Sequence, residues 1–358
     1  MSVAFHVLRI AEVTPETSDA MSIRFDIPEE LRPEFAFKPG QHLTLRADID
    51  GEDVRRTYSL CVAPQDGEIK VTVKRIAGGA FSNWANDNLK AGDLLEVMPP
   101  HGSFTWDFKA GAANHYVGFA GGSGITPVMS LLKTALLTEP TSRFTLFYGN
   151  RDSSSVIFLE ELSGLKNRFM GRLQVHHFLS DEAEDIDLFN GMLDRTKCDQ
   201  ILEMLVDVQG ISAAFICGPG PMMDAAEGAL RDAGVPDERI FIERFTASRP
   251  PAAVEAHMQE LQSQAQGLTM MVTLDGRKRR VAFDAAAGNI LDSARASGLP
   301  APYACKAGVC ATCRARVVSG EVEMAARYGL SDEEVASGYV LTCQSVPKGE
   351  GVELDYDA

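Results

Sequence analysis

Four of the seven cysteines carry the most specific chemistry in this sequence. Cys305, Cys310 and Cys313 fall within "PYACKAGVCATC", and Cys343 returns after 29 intervening residues in "GYVLTCQSV". The spacing C-x4-C-x2-C followed by a distant cysteine is that of plant-type [2Fe-2S] sites, where all four thiolates ligate iron. A four-cysteine zinc site usually closes its tetrahedron with two short C-x2-C pairs, and only one pair here is short. Ala307 and Gly308 let backbone amides approach the inorganic sulfides. An odd number of cysteines with no export signal disfavours a disulfide framework.

A second constellation is "RRTYSL", residues 55–60. One of its two arginines can hold a phosphate by charge-assisted bonds, the Tyr58 ring can pack on an isoalloxazine face, and the Ser59 hydroxyl can bond a flavin ring atom, with Thr57 just before the Tyr. "VKRIAGGAFSNW", residues 73–84, adds Lys74, two glycines that permit close backbone approach (Gly78 and Gly79), and Ser82, read as the cap of a helix aimed at phosphate. Together they point to a flavin.

A third set marks strand ends. "GFAGGSGITP" reads as a strand, a glycine turn at Gly122 and Gly124, and a helix capped by Thr126 with Pro127 first in the helix. Pro127 stands where G-x-G-x-x-G would place its third glycine. In "YGNR", Arg151 is expected to pair with a 2′-phosphate, with Ser153 to Ser155 as added donors and Asp152 discordant, so NADPH is the expected nucleotide and NADH the alternative. "CGPGPMM" ends a later strand with Cys217, Gly218 and Pro219. His176 and His177 lie in an apolar strand and read as structural. "GGSGI" is not G-x-S-x-G, and neither H-E-x-x-H nor a P-loop occurs, which disfavours a hydrolase or a P-loop nucleotide triphosphatase.

These motifs need elements to hold them, and 358 residues suffice for two or three domains. Residues 1–110 show short alternating runs such as "HLTLRADI" and "EIKVTVKRI", the pattern of an antiparallel β-barrel that would hold the flavin. Residues 111–245 alternate apolar strands with helix-like segments, which implies an α/β domain with a parallel sheet for NAD(P). Residues 246–267, rich in Ala, Gln, Pro and Ser, read as a partly helical linker. Residues 268–358 open with two strand-like runs joined at Asp275-Gly276, a hairpin signal, and form a small α+β domain carrying the cysteine loop. The net charge of −16 argues against nucleic acid as a partner. Residues 110–132 lack charged side chains, but five glycines and a proline make them a poor membrane span. The cytoplasm is the expected location, with no membrane association.

In their order along the chain, RxYS at Arg56–Ser59, GGxxS at Gly78–Ser82, GGxGITP at Gly121–Pro127 and CGPxxM at Cys217–Met222 resemble the ferredoxin-NADP reductase superfamily, here fused to a C-terminal ferredoxin. The resemblance implies FAD in the barrel, with FMN as the alternative, a β-grasp fold for the ferredoxin, Arg56 at the flavin phosphate, Tyr58 near the ring and Ser59 beside its reactive nitrogen. It also implies Cys217 and Glu243, in "IERF", near the nicotinamide, and a terminal oxygenase as electron acceptor. The physics agrees. Nicotinamide gives two electrons together as hydride, a [2Fe-2S] cluster takes one, and a flavin converts between them. Basic residues beside the cysteines, Lys306, Arg314 and Arg316, with Arg277 to Arg280 in the hairpin, are expected to dock on an acidic partner surface. The contrasting reading is a non-enzymatic binding protein whose C-terminal module is stabilised by zinc.

Overall fold

The alternating runs near the N-terminus become six strands in the computed structural model, which describes residues 5–183, 185–245 and 252–358. They are β1 (His6–Thr17), β2 (Ala20–Asp26), β3 (His42–Ile49), β4 (Glu52–Ser59), β5 (Ile69–Lys74) and β6 (Leu94–His101). The sheet order is β4-β3-β6-β1-β2-β5. An antiparallel bridge between Leu60, just past β4, and Val71 on β5 joins the two edges and closes the barrel. Helix α1 (Ala80–Asn88) buries Phe81 and Ala85 in the barrel core beside Leu43 and Val73.

Five further strands follow: β7 (His115–Gly121), β8 (Arg143–Asn150), β9 (Leu173–Leu179), β10 (Ile211–Cys217) and β11 (Ile240–Glu243). Their order is β11-β10-β7-β8-β9 and every pairing is parallel. Both faces are covered, by α2 (Ile125–Thr138) and α3 (Leu159–Arg168) on one and α4 (Arg195–Leu205) and α5 (Gly220–Asp232) on the other. All seven residues of β7 are therefore buried, which explains why this strand reads as an unbroken apolar run. The strand order reverses between β7 and β10, the place where open α/β sheets form a binding crevice.

Barrel and parallel sheet belong to one compact unit, His6–Val54 with Tyr58–Arg244. Helix α2 is their shared element. Ser130 on it donates to the Val62 carbonyl at 2.6 Å and accepts from the Gly40 amide at 3.3 Å. Lys133, one turn on, is nearly buried between Asp66 and Glu161, each 2.7 Å away. A buried cation held by two carboxylates is costly to break, so these contacts tie α2 to the barrel turn at Asp66 and to α3.

The second unit is built mainly from Phe245–Ala358. It contains β12 (Thr269–Leu274), β13 (Arg277–Ala282), β14 (Arg314–Ser319), β16 (Tyr339–Leu341) and β18 (Glu353–Asp355) in the order β13-β12-β18-β14-β16, with a small pair β15 (Val322–Met324) and β17 (Ser345–Pro347). The β12–β13 turn has φ of +53° at Asp275 and +69° at Gly276, the backbone that an Asp-Gly hairpin requires. Helix α7 (Ile290–Ala296) buries Ile290, Leu291 and Ala294 against this mixed sheet, a β-grasp arrangement, and α8 (Asp332–Ala336) packs beside β16.

Of the segment read as a linker, residues 246–251 lie outside the described residues. The remainder forms α6 (Ala252–Gln264), whose Met258, with Ala265 just beyond, is buried in the core of the second unit, flanked by Val254 and Leu261. The 4-3-4 spacing of these four residues is a narrow apolar stripe that the Ala/Gln-rich composition obscures. Among the described residues no helix is long and apolar enough to cross a membrane.

Candidate functional site

Strand β4 delivers the flavin motif at its C-terminal end. Arg56 is exposed, Thr57 and Tyr58 are half-buried, and Ser59 is only 3% exposed. The Tyr58 ring rests 5.6 Å from Phe81 of α1. Lys74, at the end of β5, approaches Asp19 at 3.7 Å and points toward Gly122 of the glycine turn. Ser82 differs from the sequence reading. Gly79 occupies the cap position of α1, and Ser82, inside the first turn, reaches back to accept the Ile76 amide at 3.2 Å. A side chain at Gly79 would meet the Ser82 hydroxyl at 2.5 Å, so the two residues are packed as a pair.

The glycine turn after β7 also starts earlier than expected. A 3-10 turn over Gly122–Gly124 runs directly into α2, so Thr126 is the second helical residue and Pro127 the third. The Thr126 hydroxyl donates to the Ser123 carbonyl at 3.0 Å instead of capping. Glycines are required here by the neighbouring loop. A Cβ on Gly124 would stand 2.1 Å from the Cys217 carbonyl oxygen, and one on Gly218 2.9 Å from the Gly121 amide nitrogen. Tyr148, fully buried, donates to the Gly122 carbonyl at 3.0 Å and clamps the turn from below.

These loops border a cavity of about 770 Å³ at the C-terminal ends of the parallel strands, lined by Gly122, Asn150, Arg151, Ser155, Pro219 and Met222 among others. Arg151 is 65% exposed, with only a loose approach to Asp19 at 3.8 Å. The serines beside it are already engaged. Ser153 donates its amide and hydroxyl to Glu182 at 2.9 and 3.0 Å, Ser154 donates to Asp152 at 2.6 Å, and Asp152 caps the turn through the Ser155 amide at 2.9 Å. For Ser153 and Ser154 to act as phosphate donors, these contacts to Glu182 and Asp152 would have to be exchanged.

Cys217 and Glu243 are cross-strand neighbours on β10 and β11. Cys217 is fully buried and burial pushes its thiol well up. Burial likewise raises the Glu243 carboxyl from 4.5 to about 8. Its Oε1 lies 3.9 Å from Nδ1 of His42 on β3, and the His42 Nε2 meets Nε2 of His101 on β6 at 3.1 Å. Gly102 makes room, since a Cβ there would stand 2.9 Å from the His42 ring. Sequence reading misses this histidine pair, because the two residues are 59 positions apart and meet only through the β3–β6 pairing.

In the second unit the cysteines stand as two couples. The Cys310 thiol hydrogen-bonds Cys305, which holds Cys305 down to about 6 and pushes Cys310 well up; Cys313 acts in the same way on Cys343. Two couples suit a cluster of two irons, each taking two thiolates. The loop is bent by left-handed backbone at Lys306, Gly308 and Ala311, with φ of +53°, +75° and +53°. This turns amides toward sulfur: Ala307 donates to Cys305 at 3.3 Å, Cys305 to Cys310 at 3.5 Å, and Gly308 to Cys343. The donor set fits a [2Fe-2S] cluster.

The basic residues nearby are less free than their sequence suggests. Lys306 pairs with Asp292 at 2.6 Å, Lys278 with Glu353 at 2.6 Å, and Arg314 with Glu334. Arg277, Arg279, Arg280 and Arg316 are exposed on β13 and β14.

Comparison with known proteins agrees with this layout. Residues 7–106 match the oxidoreductase FAD-binding domain family, 119–228 the oxidoreductase NAD-binding domain family, and 272–348 the 2Fe-2S iron-sulfur cluster binding domain family. One of the subunits of the 1,2-phenylacetyl-CoA epoxidase of Escherichia coli is 44% identical, over 99% of this chain and 98% of its own length. The ferredoxin reductase component of the 3-ketosteroid-9-alpha-monooxygenase of Rhodococcus rhodochrous is 38% identical, over 98% and 96%. The structure of phthalate dioxygenase reductase superposes with a TM-score of 0.59 at 26% identity, covering 98% of each chain. With a barrel bearing a flavin motif, a parallel sheet with a glycine-lined crevice and a four-cysteine β-grasp unit, the chain belongs to the family of FAD-, NAD- and [2Fe-2S]-binding reductase components of multicomponent oxygenases.

Proposed function

We propose that this chain takes electrons from NAD(P)H and hands them singly to the oxygenase of a phenylacetyl-CoA epoxidase. The observation that carries the choice of partner is the 44% identity to an epoxidase component across both full lengths, against 38% for the steroid monooxygenase reductase. When bound, the flavin accepts a hydride and releases electrons one at a time.

The residues of this chain supply binding, orientation and a dry site. Arg56, with Thr57, Lys74 and the Gly79–Ser82 turn, would hold the flavin phosphates, and Tyr58 and the buried Ser59 would orient its ring. Gly122 and Gly124 with Thr126 in the first turn of α2, and Gly218 and Pro219 on the loop after β10, bring the backbone to the pyrophosphate. Cys217 and Glu243 border the nicotinamide, with burial pushing the Glu243 carboxyl up to about 8. NADPH is the proposed nucleotide on the strength of Arg151, whose guanidinium is available to a 2′-phosphate. Cys305, Cys310, Cys313 and Cys343 would hold the cluster through their four thiolates.

Reconstitution decides the partner. The purified reductase, given NADPH, is mixed with the oxygenase components of the epoxidase or of the steroid monooxygenase, and product is measured. Turnover of phenylacetyl-CoA supports the proposal; turnover confined to the ketosteroid system replaces it.

A further inference from the structure

Gln344 directly follows the isolated cysteine, and its side chain folds back over the loop that holds the other three. Its amide nitrogen Nε2 lies 3.1 Å from the Lys306 carbonyl, 3.1 Å from the Cys343 carbonyl and 3.6 Å from the Cys343 Sγ. All three neighbours are acceptors, so the NH2 end of the amide must face them. Gly308 makes the pose possible. A Cβ there would stand 2.8 Å from the Gln344 Cγ, and its φ of +75° also favours glycine. The Gly308 amide is a second donor to the same sulfur. Cys343 is thus approached by one backbone and one side-chain N–H, and the side chain is tied to the backbone between Cys305 and Cys310.

We propose that Gln344 is a positioning residue that latches Cys343 to the three-cysteine loop and, through its N–H to the Cys343 sulfur, raises the reduction potential of the cluster. The inference rests on the reading that these four cysteines hold a [2Fe-2S] cluster. Reduction adds one electron, delivered from the flavin, and the added negative charge spreads onto the thiolate and sulfide sulfurs. A donor aimed at a thiolate stabilises that charge, so it favours the reduced form. Gln344→Met keeps the length and apolar stem of the side chain and removes the donor. Gln344→Glu keeps the shape and presents a carboxylate to three acceptors, so it lowers the potential further than Met does.

The test is an EPR-monitored redox titration of the full-length holoprotein, with iron and sulfide counted in each variant. For Gln344→Met at full occupancy, the reduced-to-oxidised ratio at a fixed potential should fall about tenfold, 59 mV for a one-electron couple. A change of less than about twofold at full occupancy overturns the tuning role. Should Gln344→Met lose its cluster, Gln344→Glu and Gly308→Ala, which displaces the amide, are titrated instead; both must shift to lower potential, and unchanged values in both overturn the proposal. Absence of a reduced [2Fe-2S] signal from the parent protein is a different failure, that of the four-cysteine assignment itself.

Discussion

Replacing the buried Glu243 carboxyl by its amide isolates the energetic consequence of the pH behaviour at the corner where β10 and β11 end. Burial raises this carboxyl from the ordinary 4.5 to about 8. The folded protein therefore holds a proton that the unfolded chain has already released, and between those values stability falls as pH rises. At 1.36 kcal/mol per pH unit, the interval from 4.5 to about 8 amounts to at most about 5 kcal/mol, reached near pH 8 and constant above it. The groups facing the carboxyl are His42 from β3, with His101 behind it on β6, and the Cys217 thiol from β10; Arg244, next in the chain, is turned to Asp224 and Glu227 at 3.0 and 3.6 Å. Glu243→Gln removes the proton and keeps the shape. Thermal unfolding of parent and variant holoprotein, followed by flavin release in parallel from pH 5 to pH 9, should show the variant gaining on the parent up to about pH 8 and then holding a fixed advantage. A difference that is flat across this range would refute the reasoning, because it would mean the carboxyl titrates as an exposed one does. A His42→Asn background should preserve the trend if burial, the cause named here, dominates over the histidine.

Cys343→Ala should abolish the reduced-cluster EPR signal while flavin absorbance and ferricyanide reduction persist, because the cysteines lie in a different compact unit from the barrel. Gly124→Ala drives a methyl group into the Cys217 carbonyl at 2.1 Å, so nucleotide binding should be lost and the first unit destabilised by about 3 kcal/mol or more, read by nucleotide titration and melting. Arg151→Ala should weaken NADPH use about tenfold, 1.4 kcal/mol, and leave NADH use nearly unchanged; equal loss of both would remove Arg151 from the 2′-phosphate site. Rising ionic strength should slow electron delivery to the oxygenase more than flavin reduction by nucleotide, and Arg279→Glu with Arg280→Glu should reproduce that selectivity, since these arginines are exposed whereas Lys306 is paired with Asp292.

Much of the site is legible in the sequence because its parts are local. The C-x4-C-x2-C loop, the Arg56–Ser59 strand end, the glycine turn after β7 and the Asp275-Gly276 hairpin each need particular residue types within a few positions, to supply thiolates, a close backbone approach or positive φ. The boundaries of short helices are less legible. Ser82 and Thr126 look like caps, yet Gly79 caps α1, and a 3-10 turn carries α2 back past Thr126. Helix ends are decided by where the preceding strand releases the chain, and a cap preference of about 1 kcal/mol does not override that.

The sequence by itself determined the element types and the order of the three motif-bearing regions, since those follow from periodicity and from spacing along one stretch of chain. Tertiary structure alone decided which distant groups meet. The coupling of Cys343 to Cys313, the Gln344 latch on Lys306, the commitment of Ser153 to Glu182 and the stack of Glu243, His42 and His101 all join residues far apart in sequence. Such contacts are set by strand register and by how much water each pocket retains, and the Glu243 carboxyl sits near 8 because its partners and its burial come from four different strands.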